Sequence, residues 1–229
     1  MKKNRKIPYF IYFPLLIISV LIISFFTAHA LHTDFTKYGI YPQRIKGLRG
    51  IIFWNFIHAD IKHLTNNILA FFVLSGFLFY HYKKYAWKIL IIGGIITGLI
   101  TWVIGRPAYH IGISGINFML FSFLFFSGIF SGYYRLMSVS LIVVFLYGSI
   151  IWLMLPVIKK ISWEGHLSGF ITGLFIALLY AGELKKKYLK EKEVKIYPED
   201  EEFLKHFDEQ GNFIENIKKP EEKTDNFEH

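Results

Sequence analysis

One serine and two histidines stand at the beginnings of apolar runs. Ser114 lies in Gly112-Ile113-Ser114-Gly115, a turn of small residues that opens an uncharged stretch, and His63 and His166 open two others. A serine hydroxyl becomes a nucleophile when a positioned base takes its proton, and histidine is the commonest such base. The same serine suits a helix N-cap, where its oxygen accepts a backbone N–H. On the motif alone both uses stay open.

The base would be His166, in Glu164-Gly165-His166-Leu167-Ser168-Gly169. Partial positive charge at a helix head disfavours imidazolium and favours the neutral, proton-accepting ring. A histidine at such a head also serves as an ordinary interfacial side chain. No acid offers itself as a third member. Asp34 and Asp60 lie in the first loop, and Glu164, two residues before the histidine on a helix, diverges from the ring. The residues read as a dyad.

A hydrolase further needs donors aimed at the developing oxyanion. His63 and Asn67 are four residues apart, on one helix face, and with the backbone N–H groups around Ser114 they form a candidate oxyanion hole. Interhelical hydrogen bonding in a membrane bundle is the rival use of the same pair, and the spacing does not choose between them.

The elements that must position these groups are membrane spans. The chain has 229 residues, 53% hydrophobic and 19% aromatic, in long uncharged stretches where a soluble domain would show amphipathic stripes. Apolar runs cover 7–30, 63–80, 85–104, 114–131, 136–157 and 166–181. Six helices are expected, the second and sixth short for a full crossing, so that their heads lie below the membrane surface. Ala28-His29-Ala30 imitates a signal-peptide cleavage site. The first apolar stretch is longer than a signal core, and its reading is a retained first helix. The 31–62 connection, with Tyr38, Tyr41, Trp54, Arg44 and Arg49, is expected to lie partly in the interface.

The net charge of +9 comes from lysines beside span ends. That is a topology signal and not a nucleic-acid surface, so no nucleic-acid partner is expected. Lys2, Lys3, Arg5 and Lys6 before the first run put the N-terminus, and with six spans also the C-terminus, in the cytoplasm. His63, Ser114 and His166 then share the outer side, and an inverted chain would move them together. Residues 1–6 form the N-terminal segment, 7–181 the six-helix domain, and 182–229 a charged tail expected to be flexible or surface-associated, with at most a turn or two of amphipathic helix near 198–207. The chain has no cysteine, which excludes thiolate chemistry and Cys-ligated metals. No His-Glu-x-x-His helix is present and no span carries a central charge, which argues against a metalloprotease and against a transporter. No metal or cofactor is expected.

Gly165-x-x-x-Gly169-x-x-x-Gly173 makes a smooth stripe beneath His166. Packing it against the fourth helix would carry His166 to Ser114.

With these motifs in this order, the chain resembles the rhomboid family of intramembrane serine proteases. The likeness rests on His63-x-x-x-Asn67, Gly112-x-Ser114-Gly115 and His166-x-x-Gly169-x-x-x-Gly173, on alternate helices, with the Arg44 region and His58 in the first loop. It implies an all-α, six-transmembrane-helix bundle around a water-accessible cavity. It implies Ser114 as nucleophile, His166 as base and acid, and His63, Asn67 and the Ser114 N–H as the oxyanion hole. Gly112, Gly115, Phe118 and Gly169 would support the site, and the substrate would be another transmembrane protein in the lipid bilayer. Phe118 stands where relatives often carry Tyr, which is expected to tune the site without abolishing it. The alternative within the resemblance is an inactive relative that binds transmembrane helices. Retention of Ser114, His166, His63 and Asn67 together argues for the enzyme. Compact loops suit a bacterial type, in the cytoplasmic membrane.

Overall fold

The structure is a computed structural model that describes residues 7–156, 161–192, 203–207 and 212–214. Regular structure in these residues is helical, and the only β pairing among them is two isolated bridges. The helices are α1 (Tyr9–Ala30), α2 (Gly50–Phe53), α3 (Ile61–His81), α4 (Ala86–Ile104), α5 (Ser114–Ser131), α6 (Tyr134–Tyr147) and α7 (Trp163–Lys192). Among the described residues six segments are long and apolar enough to cross a membrane: α1, α3, α4, α5, α6 with its continuation to Met154, and Trp163–Lys186 of α7.

Three boundaries differ from expectation. The second span begins at Ile61 and runs for 21 residues, because Asp60 caps it by accepting the His63 N–H at 2.7 Å. His63 therefore stands inside the first turn, and the span has full length. The sixth span is also long, 24 residues to Lys186, and its helix continues to Lys192 where a polar tail was expected. Glu183, Leu184 and the lysines that follow are strong helix formers, so the helix outlasts its apolar window. The fifth span stays α-helical only to Tyr147. At Gly148, a weak helix former, it tightens into a 3₁₀ helix, Gly148–Met154. Its expected end at 157 lies outside the described residues.

The chain divides into two compact units, Met1–Tyr188 and Leu189–His229. In the second, the described residues form a turn at 203–207, with Phe207 bridged to Phe213.

Within the first unit α5 is the central post. It packs on α3, α4 and α6, and small residues let α6 and α7 approach it closely. A Cβ on Gly128 would strike the α6 backbone at Leu136, and Gly132, with φ of 63°, turns the chain between α5 and α6 in the left-handed conformation that glycine tolerates. The polar side chains of this buried helix are spent on neighbours. Ser122 Oγ donates to Phe170 O on α7 at 2.7 Å, and Ser127 Oγ meets the Tyr82 hydroxyl at 2.5 Å. The connection between α1 and α3 is built of short helical turns, Phe35–Tyr38, Ile45–Gly47, α2 and Trp54–Phe56, folded against the bundle.

Candidate active site

Ser114 is the first residue of α5. The N-cap position belongs to Ile113, so capping is not what the Ser114 hydroxyl does. Its Oγ lies 3.0 Å from His166 Nε2, on the first turn of α7 and 52 residues away in the chain. The other ring nitrogen, Nδ1, is 2.9 Å from the carbonyl oxygen of Leu153, in the 3₁₀ end of the fifth span. A carbonyl only accepts, so Nδ1 carries the proton in the neutral ring. Nε2 is left as the acceptor of the serine O–H. The histidine is thereby held in the tautomer a general base requires, by a backbone group and not by an acid. Phe118 lies flat on the ring, centroids 4.3 Å apart and planes 12° from parallel.

The glycine stripe brings the two helices this close. A Cβ on Gly169 would collide with the Gly115 carbonyl oxygen and stand 3.1 Å from Met119 N, and one on Gly173 would collide with the Met119 carbonyl oxygen and stand 2.8 Å from Phe123 N. Backbone cannot yield as a side chain can, so these positions admit only glycine at this helix separation. Gly115 plays the same part towards the first loop, where the buried Trp54 ring occupies the place its Cβ would take.

His63 and Asn67 converge on the same backbone. Gly112 has φ of 102°, and a Cβ there would sit 2.9 Å from His63 Nε2 and 3.9 Å from Asn67 Nδ2. Asn67 is buried, and its Nδ2 donates to the His63 carbonyl at 3.0 Å. Asn117 of α5 orients it further, donating from Nδ2 to both Asn67 O and Asn67 Oδ1 at 3.1 Å. His58, before α3, accepts the Ile113 N–H on Nε2 at 3.5 Å and meets the His63 ring edge to face at 5.1 Å. Burial holds the His58 imidazole far below its ordinary value, at about 4, so it stays neutral and able to accept.

A polar frame fixes the loops beneath which α5 and α7 begin. Ile40 and His110 exchange backbone hydrogen bonds at 3.0 and 2.8 Å, and Gly112 N donates to Trp54 O at 2.8 Å. These tie the loop before Ser114 to the first loop. Arg106 Nη1 grips the Glu164 carboxylate at 3.2–3.3 Å, and its Nη2 donates to Ile161 O at 2.8 Å. Glu164 is 1% exposed, so its charge is matched in place of being solvated. As expected, its side chain diverges from His166. His110 completes the frame: Nε2 donates to the Arg106 carbonyl at 3.2 Å, and Nδ1 accepts from the Ser162 hydroxyl at 2.5 Å. Burial lowers the His110 pKa, which preserves that neutral pattern.

The structure thus brings together Ser114, His166, His63, Asn67, Gly112, Gly115, Phe118 and Gly169. The sequence reading missed Asn117, Trp54, Leu153 and the Arg106–Glu164 pair. Asn117 carried a signal, being a polar residue three positions after Ser114 in an apolar run. Leu153 carried none, because its contribution is a carbonyl oxygen that every residue possesses.

The helices and this half-buried hydroxyl–imidazole pair define a multi-pass, all-α integral membrane protein with a polar site between spans. A family model described as Rhomboid domain matches residues 46–183. The chain is also similar to uncharacterized proteins of Mycobacterium bovis and Mycobacterium tuberculosis, each 38% identical over 66% of this chain and 68% of theirs. A third, from Mycobacterium leprae, is 34% identical over 78% of this chain and 73% of its own. The chain belongs to the rhomboid family.

Proposed function

We propose that the protein is an intramembrane serine endopeptidase that cuts other membrane proteins within or near a membrane segment. The observation that carries this reading is the contact of Ser114 Oγ with His166 Nε2 at 3.0 Å, with Leu153 O on the far nitrogen of the same ring. Ser114 Oγ attacks the scissile carbonyl carbon as His166 Nε2 takes its proton. The carbonyl oxygen becomes an anion, met by the Ser114 N–H at the start of α5 and by the side chains of His63 and Asn67. The imidazolium, steadied by the Leu153 carbonyl, then protonates the leaving amine. Water, deprotonated by the restored base, releases the acyl group and regenerates Ser114. No third acid is needed, since the backbone carbonyl performs the orienting role of one.

The substrate segment must unwind to reach Ser114, because a helical carbonyl is engaged in its own hydrogen bond. The basic residues before α1 and along the end of α7 favour cytoplasmic termini, with the site towards the outer face.

The test is cleavage of a single-span substrate in proteoliposomes by the purified protein, alongside Ser114→Ala and His166→Ala. Both substitutions are expected to reduce cleavage to background while thermal unfolding is unchanged. Binding of the substrate helix without cleavage by the unaltered protein would overturn the assignment in favour of a non-enzymatic helix binder. Cleavage surviving Ser114→Ala would overturn the site itself.

A further inference from the structure

The end of the bundle away from Ser114 carries a second concavity that the proposed chemistry does not use. It lies between α4 and α7, with a volume of about 610 Å³. Tyr180 and Glu183 are 14 and 17 residues beyond His166 on α7, so at ~1.5 Å per residue the rim of the groove is more than ~20 Å along the helix from His166. It begins where α4 begins. Lys84 stands at the turn before the helix, and Lys88, Ile92 and Ile96 follow at intervals of four, on one face. Ile176 and Leu179 of α7 form the opposite wall. One stripe therefore runs from two ammonium groups at the rim to bare hydrocarbon ~12 Å deeper, close to the ~15 Å of one leaflet.

The rim chemistry is specific. Tyr85 and Tyr180 meet edge to face at 5.0 Å and draw the two helices together there. The Tyr85 hydroxyl bonds to Glu183, and Lys84 approaches the same carboxylate at 3.9 Å. Both partners of that ion pair are well exposed, so it is weak and leaves Lys84 with donors to spare. Lys88 has no ion-pair partner among the described residues. Lys88 lines the groove, and an ammonium group on so long a stem can rise to the headgroup level. A rim of two lysines against one carboxylate, net positive, above an apolar, lipid-facing floor is complementary to one kind of molecule present at that depth. We infer that the groove binds an anionic phospholipid, its phosphate on Lys84 and Lys88 and an acyl chain along Ile92 and Ile96. The occupant is a membrane lipid and not a free phosphate, because the floor is buried in hydrocarbon and contributes nothing to a small hydrophilic ion.

Retention of lipid by the full-length protein, released from membranes of equal phosphatidylglycerol and phosphatidylcholine and read by native mass spectrometry, tests this. Preferential retention of phosphatidylglycerol is expected. Lys88→Gln and Lys84→Gln should each lower that preference by about fivefold. Lys83→Gln should leave it unchanged, since that side chain lies over the Tyr9 ring at 4.4 Å, away from the groove. Ile92→Trp, which fills the floor, should reduce binding of the intact lipid. Equal retention of the two lipids would overturn the proposal, as would equal losses from Lys83→Gln and Lys88→Gln. Binding of soluble glycerophosphoglycerol as tight as that of the whole lipid would overturn it too, by showing that the apolar floor plays no part.

Discussion

The fourth and fifth spans are consecutive in the chain and opposite in surroundings. Of the most apolar 18-residue window in α5, 72% is buried inside the protein; in the fifth span the share is 22%, although that span is the more apolar of the two. In lipid, hydropathy does not sort buried helices from peripheral ones, because the solvent is itself apolar. What separates them is small and polar side chains. Asn117, Ser122, Ser127 and Ser131 of α5 are buried; the three hydroxyls and the Asn117 Nδ2 are bonded within the bundle. The fifth span presents Leu141, Phe145, Leu146 and Trp152 outwards. It holds to the core through Ser140, which donates to α5 carbonyls, and through the Leu153 carbonyl on His166. The buried span supplies the Ser114 hydroxyl of the proposed dyad, and the exposed one supplies the carbonyl that holds the His166 ring.

That contrast breaks most readily where protein packs on protein. Arg106→Gln removes the partner of a buried carboxylate and should destabilise the fold by about 3 kcal/mol, read as a lowered thermal midpoint in detergent. Glu164→Gln, which leaves no buried charge, should have a smaller effect. If Arg106→Gln proves neutral, the frame around α7 is not holding it. Next in size, Gly169→Ala forces a methyl against the Gly115 carbonyl. Its expected effect is about 2 kcal/mol of stability together with a loss of cleavage, because the helices must part between Ser114 and His166.

Acid should act on the same side of the comparison. The His58 pKa is depressed from 6.5 to about 4, so the folded state favours the neutral ring. The stability this contributes is complete above pH 6.5 and is lost as pH falls towards 4, with His110 acting in the same direction. The thermal midpoint should therefore fall across that window, and less steeply in His58→Gln; a flat profile would contradict the burial of both rings. On the lipid-facing side the expectation is small. Phe145, 88% exposed, should tolerate replacement by Ala within about 0.5 kcal/mol. A larger change in lipid would mean that this face of the fifth span is covered.

Much of the site is legible in the sequence. Ser114, His166, His63 and Asn67 announce themselves because polar residues at the heads of apolar runs are expensive and rarely idle. Two glycines of the stripe, Gly169 and Gly173, meet the fourth span as its spacing suggested, whereas Gly165 faces Ser162 and Trp54 instead. Span ends were harder. Asp60 starts α3 two residues before the apolar pattern does, and helix formers carry α7 beyond its apolar pattern, because capping and propensity are separate from hydropathy.

By itself the sequence determined the membrane class, six spans, the family, and Ser114, His166, His63 and Asn67 as candidates for the site. These depend on local composition and spacing, which need no partner to be legible. Only the tertiary structure decided that Ser114 does not cap its helix, that Leu153 offers His166 a carbonyl, that Asn117 turns Asn67, and that Arg106 takes Glu164. Asn117 and Asn67 are 50 residues apart and Arg106 and Glu164 are 58 apart, and the Leu153 contact uses a backbone atom common to all residues. Their meeting is set by how closely the glycine faces let the helices pack.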